Sequence, residues 1–178
     1  RRLAYRNLGC RAKSPMNKQT IDGFFYDDRD TMTRISAKKI LQLVANKFGN
    51  FKRVLDVGCG VGTWLSVAKE SGATVLQGIE GPWISEVSST VIPRSIIQTQ
   101  DLEEAWQVNG EFDLGICLEV VEHLTECSGK RVVENLSNHC QVVLFSAAIP
   151  GQGGNGHINE KWPSHWQNHF AAHNMEGI

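Results

Sequence analysis

Residues 54–65 read VLDVGCGVGTWL: an apolar run carrying one acid, glycines at every second position, then the first turn of an amphipathic helix. Gly58, Gly60 and Gly62 permit a sharp strand-to-helix turn and leave no Cβ atoms to hold a ligand off the main chain. The dinucleotide fingerprint would need a glycine where Thr63 stands, and Asp56, two residues before Gly58, would repel a pyrophosphate. An anionic cofactor is therefore disfavoured. A cofactor with a cationic sulfonium, an α-amino group and ribose hydroxyls suits the turn, and S-adenosylmethionine fits that description.

A second acid stands where a βαβ unit would place it. Residues 73–80 (ATVLQGIE) form an apolar run ending in Glu80, about 20 positions past the glycines, the offset used to grip ribose hydroxyls. Strand, acid, alternating glycines, helix, strand and acid in register form a far more specific signal than a lone glycine turn.

From Val54 to Phe170 the chain resembles the class I S-adenosylmethionine-dependent methyltransferases. The resemblance is carried, in order, by VLDVGCGVGTW, GIEG at Gly78 to Gly81, QTQDLEE at Gln98 to Glu104, FDLGICLEVVEHL at Phe112 to Leu124, and VVLFSAAIP at Val142 to Pro150. It implies that Asp56, Gly58, Cys59, Gly60 and Gly62 hold the methionine end of the cofactor. Glu80 and Gly81 then meet the ribose, Asp101 and Leu102 the adenine, and Leu118 closes over the adenosine. Glu119, just past the fourth strand, closes with Leu118 over the adenosine and methionine portion.

The remaining elements alternate. Residues 37–48 have helical apolar spacing, with Ser36 as the expected cap and Gly49 as the stop. Strands are expected at 53–57, 73–79, 95–98, 112–118 and 141–146. Helices are expected at 64–71, near 83–88, at 130–138 and at 164–173. This order predicts an α/β fold: a doubly wound, mostly parallel sheet with helices on both faces, Rossmann-like, and ligand at the strand carboxyl ends. Residues 1–52 read as an N-terminal helical or lid segment and 53–178 as the catalytic domain. The resembled fold continues with an antiparallel hairpin after the last helix. The sequence ends at Ile178 without it, so the C-terminal hairpin strands are expected to be missing through truncation.

The 178 residues suffice for one domain, and no apolar run approaches the length of a membrane span. The first residues lack the apolar core of a signal peptide, so a cytoplasmic location is expected. The five cysteines (Cys10, Cys59, Cys117, Cys127, Cys140) have no framework spacing and read as reduced thiols. Charge is uneven: residues 1–53 carry 13 Lys and Arg against 4 Asp, and residues 54–178 carry 5 against 15 acids. The basic segment reads as a solvated face or as an arm for an anionic substrate or the acidic domain. A pI of about 6.6 argues against broad nucleic-acid binding. In GFFYDD, Tyr26 is a candidate for pocket contact.

Chemistry beyond cofactor binding points to two places. Glu119, Glu122 and His123 are spaced i, i+3, i+4 and would share one face if helical. The glycine-rich residues 150–166 (PGQGGNGHINEKWPSHW) carry His157. Either imidazole can take the proton of a hydroxyl nucleophile, or else brace its loop. His165, His169 and His173 recur every four residues, a spacing compatible with metal or with a plain helix face. The leading reading is methyl transfer to a small-molecule hydroxyl, on a sugar or secondary metabolite, with His123, His157 and Glu119 at the reaction and no metal. Two others stay open. Glu119, Glu122, His123 and His157 also resemble the magnesium or manganese site of small-RNA 2′-O-methyltransferases, and a non-catalytic partner subunit would use the same fold.

Overall fold

The computed structural model describes residues 24–177, excluding the side chains of residues 24–29 and 32. The basic arm before residue 24, Cys10 and the Tyr26 side chain lie outside the described residues. Helix α1 (Phe24–Phe48) leads into β1 (Arg53–Val57), α2 (Thr63–Glu70) and β2 (Val75–Glu80). Two 3₁₀ turns, Pro82–Glu86 and Arg94–Ile96, precede the short strand β3 (Ile97–Thr99). Then come β4 (Phe112–Leu118), a third 3₁₀ turn (Val121–His123), α3 (Glu126–His139), β5 (Cys140–Ser146) and α4 (Pro163–Ala172).

All pairings are parallel and the strand order is β3-β2-β1-β4-β5. Register between β1 and β4 sets Val54 opposite Leu114 and Asp56 opposite Ile116. Asp113 pins the entry to β1, accepting the N–H groups of Lys52 and Arg53 at 2.6 and 2.9 Å. Alternation then splits the sheet's apolar residues between two cores. Leu55, Val57 and Cys117 pack with Val132, Val133 and Leu136 of α3 and Trp166 of α4. Val54, Leu114 and Ile116 pack with Ala37 and Leu41 of α1 and Leu65 and Val67 of α2. Helices thus cover both faces, as the alternating elements predict. Each fully buried Leu, Ile or Val contributes about 1.5–3 kcal/mol.

Two helix starts differ from expectation by several residues. Helix α1 runs through Ser36, which is not a cap; no glycine or proline interrupts residues 24–48, and the Asp30–Arg34 pair at 3.5 Å supports the continuous helix. Gly49 does end it, at φ 93° with its N–H on Ala45 O. Helix α3 starts earlier than its apolar spacing suggests, because Thr125 caps it by accepting the Ser128 N–H. Helix α1 also grips α2 through polar contacts: Thr63 Oγ1 donates to Asp30 Oδ1 at 2.6 Å, and Arg34 meets Glu70 at 2.7 Å.

No described helix is long and apolar enough to cross a membrane. Cys59, Cys117 and Cys140 are buried free thiols. Cys127 is disulfide-bonded, which corrects the expectation of reduced thiols at that position.

Candidate cofactor and acceptor site

The strand order reverses between β1 and β4, and the crevice beyond their carboxyl ends is where doubly wound sheets bind ligands. One wall is the glycine turn after β1; the other is the segment after β4. They touch directly, since a Cβ on Gly58 would lie 2.3 Å from Val120 Cγ2. A Cβ on Gly62 would lie 2.4 Å from Ile92 Cγ1. At Gly60 it would meet nothing within 4 Å, so this glycine faces open space. All three have positive φ, between 55° and 90°.

Four of the turn's N–H groups are engaged inside the protein. Gly58 and Cys59 both donate to Ile79 O, Gly62 donates to Cys59 O, and Gly60 donates to Glu80 Oε2 at 2.6 Å. A phosphate nest needs such donors free, so the turn acts as a platform rather than an anion trap. The Glu80 carboxylate is buried between two backbone donors, Gly60 and Gly81, the latter at 2.7 Å. Burial pushes its pKa up to about 7 against the pull of those two N–H groups. Asp56 is also buried, with Oδ2 lacking any partner. Its pKa is raised well above the carboxylate range by burial and then by the charge of Glu80.

The other expected cofactor residues take distinct places. The Cys59 side chain turns into the core beneath Gly78, where a Cβ would lie 2.7 Å from its Sγ, so only its backbone lines the turn. Gly81 opens the Pro82–Glu86 turn. Gln100 N–H on Glu80 O, at 2.7 Å, brings Asp101 beside the end of β2; Asp101 is exposed and Leu102 buried. Leu118 ends β4, opposite Ser146.

S-adenosylmethionine, the cofactor implied by the motif resemblance, fits this arrangement. The unpartnered Asp56 oxygen, the open face of Gly60 and the spare lone pairs of Glu80 match an ammonium, a nucleoside edge and paired ribose hydroxyls in turn.

Beyond β4, Glu119 has φ 55°, a left-handed conformation rare outside glycine. This breaks the expected helical face: Val121–His123 is a 3₁₀ turn, and Glu119 and Glu122 diverge. Glu119 accepts from Ser146 Oγ at 2.7 Å and from Gln152 Nε2 at 3.4 Å. Glu122 is inaccessible, and neither carboxylate oxygen has a partner in hydrogen-bonding geometry. Burial is the largest influence on its pKa, which is pushed up to about 6, although the N–H groups of Glu122 itself and Ala148 lower it.

The glycine-rich loop after β5 is stitched to this turn. Ile158 and Asn159 N–H donate to Glu122 O, and Asn159 Nδ2 donates to Val121 O. His123 and His157 thereby stack edge to face with centroids 4.9 Å apart. Glu122, His123 and His157 each offer a ligand atom within 4.8 Å of the others, the one such grouping of three among the described residues. The stripe His165, His169 and His173 forms none. His165 and His169 have pKa values lowered chiefly by burial.

The family described as "Methyltransferase domain" has a sequence model that matches residues 29–170. The chain belongs to that methyltransferase family. No curated protein sequence matches it. Among solved structures, DesVI of Streptomyces venezuelae is similar at 19% identity and TM-score 0.59, over 74% of this chain and 58% of that one. An O-methyltransferase family protein from Burkholderia thailandensis is similar at 12% identity and TM-score 0.59, over 87% and 55%. CalS10 of Micromonospora echinaspora, an amino pentose methyltransferase with S-adenosylmethionine bound, is similar at 17% identity and TM-score 0.56, over 79% and 62%. The chain thus spans between 54 and 64% of the length of these relatives and others such as the sugar N-methyltransferase KedS8.

Two residues that shape this site gave little or no signal in the sequence. Glu160 accepts from Gly151 N, Gly153 N and His157 Nδ1 at 2.9, 2.8 and 3.1 Å, which ties the loop and the imidazole to one carboxylate. Its pKa is lowered, first by the Gly151 N–H and next by His157. Glu103 accepts from Thr125 N, Thr125 Oγ1 and Ser128 Oγ at 2.6–2.8 Å. It fastens the loop carrying Asp101 and Leu102 to the start of α3. The i, i+3 spacing of His157 and Glu160 was the available signal for the first; a lone loop acid gave none for the second.

Proposed function

We propose that the chain transfers a methyl group from S-adenosylmethionine to a hydroxyl of a small molecule, with sugars and secondary metabolites as the leading acceptors. The observation that carries the cofactor is the buried pair Asp56 and Glu80 flanking a glycine turn whose donors are already engaged. Support for a sugar-like acceptor comes from CalS10, whose cofactor and amino pentose chemistry are those of a similar fold.

Bound there, S-adenosylmethionine supplies an electrophilic methyl on a sulfonium that leaves as a neutral thioether. The chain's own residues then have separate tasks. Asp56 takes the α-ammonium and Glu80 accepts from the ribose hydroxyls. Asp101 accepts the adenine amino group, while Leu102 and Leu118 cover apolar faces. Glu119, His123 and His157 stand on the acceptor side. An imidazole nitrogen of His123 or His157 would take the proton of the acceptor hydroxyl, leaving its oxygen as the nucleophile. Alignment and exclusion of water supply the rest of the rate.

The test is transfer of labelled methyl to a panel of sugar and phenolic hydroxyls, repeated with His123→Ala and His157→Ala. Turnover should fall by about 10²–10⁴ with cofactor affinity nearly unchanged. Full turnover in both variants would remove the imidazoles from the reaction.

A further inference from the structure

Glu122 is inaccessible to solvent. Both its oxygens lack hydrogen-bond partners, and an unpartnered buried carboxylate costs several kcal/mol unless something compensates it. Two imidazoles lie close by: one ligand atom each from Glu122, His123 and His157 lies within 4.8 Å of the others.

The two imidazoles are held as metal ligands usually are. Such histidines donate one ring N–H to a carboxylate or backbone carbonyl, which fixes the ring and raises the basicity of the other nitrogen. His157 Nδ1 meets Glu160 Oε1 at 3.1 Å, and His123 Nδ1 meets Gly156 O at 3.3 Å. Glu160 is in turn fixed by the N–H groups of Gly151 and Gly153. The carbonyl of Glu122 accepts Ile158 and Asn159 N–H, so the loop that brings His157 is anchored to the residue that brings the carboxylate. Glu119 points elsewhere, to Ser146 and Gln152, and is not part of the grouping.

We infer that Glu122, His123 and His157 form a binding site for one divalent first-row cation, with Glu160 as the positioning residue of His157. Two imidazoles and one carboxylate suit manganese, iron, cobalt or zinc better than calcium, which prefers all-oxygen ligands. Ligand atoms around such an ion, at about 2.0–2.2 Å each, stand about 3 Å apart on one face, so binding draws the three groups together by an ångström or more. The site deepens the acceptor-side reading above and rests on it only for what the ion would do. With an ion bound, Glu122, His123 and His157 would be its ligands, and it would supply Lewis acidity toward an acceptor oxygen in place of an imidazole base.

Manganese binding to the full chain, read by electron paramagnetic resonance and calorimetry with MnCl₂, tests this independently of any methyl acceptor. The expected result is one ion per chain, with affinity reduced at least tenfold by Glu122→Gln and by His157→Ala. Glu160→Gln should weaken binding by about 10–100-fold, the usual range for loss of a ligand's supporting carboxylate. Circular dichroism and S-adenosylhomocysteine titration of the same samples show whether each variant is folded. Absence of stoichiometric manganese binding by the native chain would overturn the inference, as would equal affinity in folded Glu122→Gln and His157→Ala. Neither result would touch the cofactor reading, which the S-adenosylhomocysteine titration reports separately.

Discussion

Cofactor affinity should depend on pH through Glu80, and the dependence can be worked from the structure. The carboxyl is buried and titrates at about 7 in the ligand-free chain. Ribose hydroxyls donate to the ionised form, so apparent affinity follows the ionised fraction. About 90% is ionised at pH 8 and about 10% at pH 6, for a pKa of about 7. Binding should therefore weaken about tenfold between these values, or about 1.4 kcal/mol. Glu80→Gln removes the titration. It also sets an amide NH₂ against one of the Gly60 and Gly81 donors now at 2.6 and 2.7 Å from the carboxylate. Together with the lost charge this should weaken binding by about 1–3 kcal/mol at pH 8. The assay is calorimetric titration with S-adenosylhomocysteine from pH 5.5 to 8.5 at constant ionic strength, a range in which that ligand's own amine and carboxyl keep their charges. A native affinity that stays constant within threefold from pH 6 to 8 would refute the reasoning. A tenfold slope surviving in Glu80→Gln would move the titration to Asp56, the other buried carboxyl beside the turn.

Other outcomes follow from single contacts. Gly62→Ala forces a Cβ to 2.4 Å from Ile92 at φ 90°, and should destabilise by about 2–5 kcal/mol in urea unfolding. Gly60→Ala meets no protein atom within 4 Å, so it should cost only about 1–2 kcal/mol of stability while weakening S-adenosylhomocysteine binding at least tenfold. Glu103→Ala leaves the Thr125 N–H and two hydroxyls without their acceptor and should lower stability by about 2–4 kcal/mol, measured by the same unfolding curves. The ligand-free chain should also respond to pH. The folded-state pKa of Glu80 is raised from 4.5 to about 7, so the folded chain holds a proton that the unfolded chain has lost, and stability falls as pH rises across that window. The loss from this group is about 3 kcal/mol, and Glu80→Gln should flatten the curve.

How much of this was legible in the sequence varies with the kind of signal. Strands β1 and β4 were legible to the residue, because each is an apolar run with a polar entry and a glycine or acid at its exit. The glycine turn and Glu80 were legible for the same reason as the fold: a βαβ unit fixes the distance between them. Helix ends were less so. Ser36 looks like a cap but lies within α1, and Thr125 caps α3 before its apolar stripe begins. The segment after β4 stood out in its residues, but its geometry was not legible. An i, i+3, i+4 pattern places side chains together only on an α-helix, and Glu119 at φ 55° sends its carboxylate to Ser146 while Glu122 turns inward. Glu103 and Glu160 act by accepting several hydrogen bonds from distant segments, a property that no periodicity encodes.

The most direct test of the central claim is a crystal structure of the chain with S-adenosylhomocysteine. The account predicts adenosine over Gly60, with both ribose hydroxyls within hydrogen-bonding distance of the Glu80 carboxylate and the ammonium at Asp56. Ligand bound away from the turn between Asp56 and Glu80, or ribose hydroxyls held by other groups, would contradict it.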